Sequence, residues 1–349
     1  MWKQYLYIAH NIQKIQDLFS YIFMEIMFHA LEHKDNGFYD VLKLPYKVLL
    51  MKVKSLKMGK QLGDLYKLFQ RVSPEQIDLL RTTFVNNNQI EKLCRNEINP
   101  LRFEDLKKLY EGDDDWGDLL KAIKAFCVDM YSKYVYLKAF EDTYGTMDAY
   151  YKALVKNDSM CHCCGIGSVL TMYNTPRDAF DHYLPKSIYP FITLNFRNLV
   201  PTCPHCNSSY KHEIDTLYDK IGEDEKRTKA FLPFGIRENH ISVKISFTKL
   251  YDKEKVEDCG MKISFSCQGK DEELQTWRRI YNIDEQYRAY CYDEENLSVV
   301  ESLLLYYEHP EYIKARILEM ERLVQVKGYF LRAAFTRAVC DSLNINLNE

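Results

Sequence analysis

Residues 161–211 read CHCCGIGSVLTMYNTPRDAFDHYLPKSIYPFITLNFRNLVPTCPHCNSSYK, and the two cysteine pairs at its ends fix how the chain around it must fold. Cys161/Cys164 and Cys203/Cys206 each enclose two residues, the spacing at which one tight turn presents two thiolates to a single tetrahedral ion. Four thiolates leave no coordination position open, so the expected ion is Zn²⁺ in a structural and not a catalytic role. The segment between the pairs is rich in Tyr, Pro and Asn and poor in material for a core of its own. Metal binding would therefore supply folding free energy locally. The run Cys161-His162-Cys163-Cys164 leaves the ligand set open, because Cys163, His162 or His205 could replace a member of either knuckle; the matched spacing favours Cys161 and Cys164. Free buried thiols are the plainer alternative, since cysteine is also a small core hydrophobe. Two such pairs in one chain argue against it.

Inside the cysteine frame, Phe180-Asp181-His182-Tyr183 reads as a strand running into a turn at Pro185, and 196–200 as a returning strand. After Pro201 the second knuckle opens a predicted helix in which Asn207 and Lys211, four residues apart, share a face. The order is strand, loop, strand, helix. Asp181-His182, Asn198 and Asn207 resemble the three signature positions of the HNH family of ββα-metal nucleases, in its four-cysteine zinc form. The resemblance covers about a seventh of the chain and interlocks two signals, the cysteine frame and the residues within it.

That resemblance implies a phosphodiester hydrolase. Histidine has the unperturbed pKa closest to neutrality, so His182 is expected to act as the general base on water. By resemblance, Asp181 and Asn207 supply oxygen ligands to a catalytic Mg²⁺ or Mn²⁺, which offsets the charge gathering on the phosphate and leaving oxygen, and Asn198 orients the imidazole. Lys186, just after the base, and Lys211, one turn beyond Asn207, are placed to meet backbone phosphates. One geometric demand follows: neighbours on a regular strand face opposite ways, so Asp181 and His182 share a site only if the strand bends there. Ordinary roles compete with these assignments, namely a satisfied core histidine, a turn amide at Asn198, a helix cap at Asn207 and solvated surface lysines.

The chain of 349 residues is long enough for about two domains with real cores. We expect an α+β protein, mainly helical, with the zinc-stapled ββα-metal centre embedded in it and a small antiparallel sheet. The expected divisions are a helical N-terminal domain at 1–155, the nuclease centre at 156–232, and a strand pair followed by C-terminal helices packed on that centre at 233–349. In the first, Leu65, Leu68, Phe69 and Val72 recur at helical steps, and Ser73-Pro74-Glu75-Gln76 is a helix start with Ser73 at the cap. Tyr131, Tyr134, Tyr136, Tyr144, Tyr150 and Tyr151 fall at helical spacing and read as core rings rather than as base-stacking platforms. Asp113-Asp114-Asp115 reads as a solvated loop. In the last, Ile241, Val243, Ile245 and Phe247 alternate with polar residues, as do Met261, Ile263, Phe265 and Cys267, which predicts two antiparallel strands.

The most apolar stretch, 18–31, is interrupted by Ser20, Glu25 and His29, which argues against a membrane span or signal peptide. Eleven cysteines, four assigned to zinc and the rest scattered, suit a reducing cytoplasm better than a disulfide framework. Formal net charge is −3, whereas an autonomous DNA binder usually shows a basic domain. Either the basic surface is local or a partner brings the substrate. A helical region ahead of the Asp-His-Tyr-Leu-Pro-Lys-Ser centre and its Asn-Leu-Val-Pro return is similar to the nuclease subunits of prokaryotic anti-phage systems of the Septu type, including some carried with retrons. This resemblance implies an ATPase partner docking on the N-terminal helices. DNA is the expected substrate. RNA, including tRNA, is the alternative within the same fold, and a non-catalytic zinc-dependent nucleic-acid or partner-binding module is the alternative outside it.

Overall fold

The structure, a computed structural model, describes residues 3–156, 158–236, 240–323 and 325–347, with the side chain of Ile221 excepted. Helices dominate, and among the described residues the strands form three separate antiparallel hairpins with no closed sheet, an α+β arrangement as expected. The apolar 18–31 stretch is the centre of the helical half. Leu18, Phe19, Ile22, Phe23, Ile26, Met27 and Phe28 are all buried, so its hydrophobicity serves a core. No helix among the described residues is long and apolar enough to cross a membrane.

Local signals are followed closely. Ser73 caps Pro74–Asn87 by accepting from the Gln76 N–H, while the Gln76 side chain returns to the Ser73 N–H, a reciprocal capping box. The Asp113–Asp115 run departs from the loop expectation. Asp113 caps the long helix Asp114–Ser132, its Oδ1 accepting from the Trp116 N–H at 3.0 Å. Asp114 and Asp115 occupy the first turn, where carboxylates favour the positive end of the helix dipole.

Three hairpins follow in chain order. β1 (Phe180–His182) pairs with β2 (Leu199–Pro201), β3 (Tyr218–Ile221) with β4 (Asp224–Arg227), and β5 (Ser242–Phe247) with β6 (Met261–Ser266). The last pair holds the register that alternation predicts, with Val243 opposite Phe265 and Ile245 opposite Ile263. It packs on the C-terminal helix Tyr329–Ser342. β3 and β4, a short charged hairpin, carried no clear apolar alternation.

One apolar cluster runs from Tyr5 to Val339 and joins all three stretches of the chain, with a smaller one around Ile313, Ile317 and Ala333 between the C-terminal helices. The first positions the site. Phe191, in the connection between β1 and β2, sits edge-on among Phe23, Phe84 and Phe103 at centroid separations of 5.1–5.2 Å. Burying such a ring contributes about 2 kcal/mol. The connection is thereby nailed to the helical core, and Asn195 strengthens the attachment by donating to the Asn88 carbonyl at 2.9 Å.

Candidate functional site

The knuckles close on each other. One sulfur from each of Cys161, Cys164, Cys203 and Cys206 lies within 4.8 Å of the other three, and all four residues are buried. Zn–S bonds of ~2.3 Å in a tetrahedron would set sulfurs about 3.8 Å apart; Cys164 and Cys203 Sγ stand at 4.0 Å. N–H groups point at three of the sulfurs: Gly167 at Cys164 (3.2 Å), Cys203 at Cys161 (3.4 Å) and Gln286 Nε2 at Cys206 (3.8 Å). Donors of this kind offset the negative charge that clustered thiolates carry. Gly167 fits where a side chain would not, because a Cβ there would meet Cys203 Sγ at 2.6 Å. These four cysteines could hold zinc.

The alternative ligands lie elsewhere. The Cys163 thiol donates to the Tyr281 hydroxyl at 3.4 Å, and its carbonyl accepts from Trp277 Nε1 at 2.6 Å. His162 stacks on Tyr5 with centroids 3.9 Å apart and bonds Asp158 through Nε2 at 2.9 Å. His205 is exposed. Helices from the C-terminal part clasp the first knuckle, Tyr287 donating to the Cys164 carbonyl at 2.8 Å.

β1 ends at His182, which resolves the strand-alternation demand: Asp181 and His182 both line one cleft of about 220 Å³, together with Tyr131, Lys186 and Asn207. His182 is buried, and its Nε2 bonds the Thr193 carbonyl at 3.0 Å. A carbonyl only accepts, so Nε2 carries the proton and Nδ1 keeps its lone pair. Nδ1 takes no hydrogen bond from the described residues. The Tyr131 ring meets the imidazole edge to face at 4.4 Å. Burial, reinforced by the Lys186 ammonium, holds the His182 pKa well below its ordinary value, so the ring is neutral near pH 7.

Asn198 does not orient that imidazole. Its Oδ1 accepts from the Leu184 N–H at 2.7 Å and its Nδ2 donates to the Leu184 carbonyl at 2.9 Å, so it clamps the chain just beyond β1, and the Thr193 carbonyl takes the expected role.

Lys211 also departs from expectation. It is fully buried, with Nζ 2.8 Å from Asp181 Oδ1 and 2.8 Å from the His182 carbonyl, so it is not displayed to a phosphate backbone. The reason lies in the turn His205–Lys211, which is wound as a π-helix: the wider spacing, closed by the His212 N–H on the Asn207 carbonyl at 3.0 Å, carries Lys211 inward. Tyr281 donates to Asp181 Oδ2 at 3.4 Å. Burial still raises the Asp181 pKa above the ordinary carboxylate range, with Lys211 pulling the other way. Asn207 is half-buried, and its side-chain amide makes no hydrogen bond with the described residues. Lys186 is half-buried with Nζ 5.6 Å from the Tyr131 ring centroid, and burial lowers its pKa.

Tyr131, His212 and Glu213 also line the cleft and were not among the site residues expected from the sequence. Tyr131 was read as a core ring. His212 and Glu213 follow the π-turn on the cleft rim, and only their adjacency to Lys211 could have flagged them. Comparison of the chain with protein-family models, with curated proteins and with solved structures finds no match.

Proposed function

We propose that this chain is a metal-dependent HNH endonuclease that hydrolyses DNA phosphodiester bonds. The observation that carries the reading is the convergence of His182, Asp181 and Asn207 on one cleft beside the four-cysteine cluster. His182 is neutral, with Nδ1 free to take a proton from water and Nε2 anchored on Thr193. Asp181 and Asn207 would hold a Mg²⁺ or Mn²⁺ ion, with water and substrate oxygens completing its shell; Asp181 retains lone-pair directions beyond those facing Lys211 and Tyr281, and the Asn207 amide oxygen is free. When bound, such an ion supplies Lewis-acid stabilisation of the phosphate charge. Lys186 at the cleft edge is placed for a phosphate. The four-cysteine cluster, carrying structural zinc, staples the turn that holds Asn207.

The net charge of −3 supports a division of labour in which an ATPase partner of an anti-phage system delivers or licenses the substrate. The Lys211–Asp181 ion pair favours a second reading, a non-catalytic zinc-dependent binding module, since it satisfies the carboxylate without a metal. Supercoiled plasmid and a structured RNA, each incubated with wild type and His182→Ala in Mg²⁺, Mn²⁺ or EDTA, separate the readings. Metal-dependent DNA cutting lost in the variant supports the endonuclease. RNA cutting alone redirects it to an RNase. Cutting by neither, from a folded metal-loaded chain alone and with its partner, favours the binding module.

A further inference from the structure

Two surfaces far apart in sequence have opposite charge and matching character. Residues 43–60 hold six lysines, Lys43, Lys47, Lys52, Lys54, Lys57 and Lys60, and no acid. All six are exposed, and among the described residues only Lys57 has an acidic partner, Asp129 at 3.5 Å. The same surface leaves Leu44, Val48, Met51 and Leu56 in water, Leu44 at 73 % of its full exposure. The helix Tyr46–Lys52 explains the pattern: Leu49 and Leu50 face the core, while Val48 and Met51 form a second apolar stripe that no described residue covers.

Residues 293–312 are the converse. They hold six acids, Asp293, Glu294, Glu295, Glu301, Glu308 and Glu311, and no lysine or arginine. Leu305, Tyr306, Tyr307 and Tyr312 are exposed there, Leu305 at 81 %. Tyr306 and Tyr312 pack on each other with centroids 4.5 Å apart, a preassembled aromatic pair. Tyrosine is the residue type that anchors protein interfaces, and lysine stems and ammonium groups sit well on its face.

Among the described residues, the helix Tyr46–Lys52 shares no extensive packing with the helices Glu294–Leu304 and Pro310–Arg322. We propose that the lysine surface of one copy docks on the acidic, tyrosine-rich surface of a second copy, a head-to-tail contact. A plain phosphate track would need the lysines but not the exposed Leu44, Val48 and Met51; an acidic protein surface with its own apolar anchors uses both. The two patches differ, so the contact is heterologous and repeats into a ring or a chain instead of stopping at a two-fold dimer.

Sedimentation velocity on the full chain tests this, with two neutralised variants: Lys43→Gln/Lys47→Gln/Lys52→Gln and Glu294→Gln/Glu308→Gln/Glu311→Gln. All six positions are exposed, so folding is expected to persist, and circular dichroism checks it. Wild type should self-associate in about 50 mM salt and dissociate in about 500 mM, as screened charge pairs do. Each variant alone should associate about tenfold more weakly or worse. Mixed in equal amounts, the two should form dimers and nothing larger, because each retains the surface the other lacks. A wild type that stays monomeric at low salt overturns the proposal, as does association that survives either neutralisation. Loss of binding to a DNA duplex or to anionic lipid vesicles in the lysine variant, with the wild type monomeric, would assign the lysine surface to a polyanion instead and also overturn it.

Discussion

Lys211 Nζ and Asp181 Oδ1 lie 2.8 Å apart with both side chains buried, an ion pair between the second cysteine turn and the strand that carries the candidate base. Taking two charges out of water is expensive, and the pair holds because the His182 carbonyl and the Tyr281 hydroxyl satisfy what remains. Removing one partner strands the other. Lys211→Met should lower unfolding stability by about 3–5 kcal/mol, and Asp181→Asn/Lys211→Met should recover most of that loss. The Asp181 pKa is raised in the folded state, so its folding contribution is fullest below the ordinary carboxylate value and is lost as pH rises through the folded value. Without Lys211 the deficit is largest near neutrality and narrows toward about pH 4. Urea midpoints across that range check both statements.

His182 works in the opposite sense. Its folded pKa is depressed, so the neutral ring stabilises the fold fully above about 6.5, the ordinary histidine value, and that contribution fades as pH falls through the lower folded value. The gap in urea midpoint between wild type and His182→Gln should therefore shrink on going from about pH 7.5 to about pH 5. A gap independent of pH would show that folding leaves the His182 pKa unchanged, and a gap that widened toward about pH 5 would show a ring held charged.

The cysteine cluster makes a ligand-by-ligand prediction. Elemental analysis should find about one zinc per chain, retained by Cys163→Ser and lost in Cys206→Ser. Gly167→Ala should lower metal content although it removes no sulfur, because its methyl group would press on Cys203 Sγ. A strong chelator should lower the melting temperature of wild type by well over ~5 °C, since a structural ion contributes several kcal/mol to folding.

Asn198→Ala leaves the Leu184 N–H and carbonyl without their partner in a buried setting, which costs about 2–4 kcal/mol. The expected signature is a lower melting temperature with unchanged metal content. A substitution that left stability intact while abolishing activity would instead place Asn198 in the chemistry.

What could be read in advance, and what could not, follows from where each piece of information resides. The clustering of the four cysteines was legible because spacing within a knuckle is a local property, and Ser73 and the alternation in β5 and β6 were legible for the same reason. The inward path of Lys211 was not: a lysine in a polar turn reads as solvated, and only the π-winding and the buried Asp181 make it a core residue. Thr193 was invisible because its contribution is a backbone carbonyl, which every residue has and no side chain advertises. Asp113 was misread because a capping carboxylate and a loop carboxylate look alike until the helix after it is known.

Phe191 bears on portability. The carbonyl that aims the imidazole belongs to a turn fastened by Phe23, Phe84 and Phe103, rings from the first third of the chain. A transplanted stretch spanning just the two knuckles would carry the sulfurs and the histidine into a new host, yet leave behind the scaffold that tells the histidine where to point. Grafting or minimising this centre therefore requires taking the aromatic bed with it, and the smallest transferable unit is set by three phenylalanines and not by the cysteines.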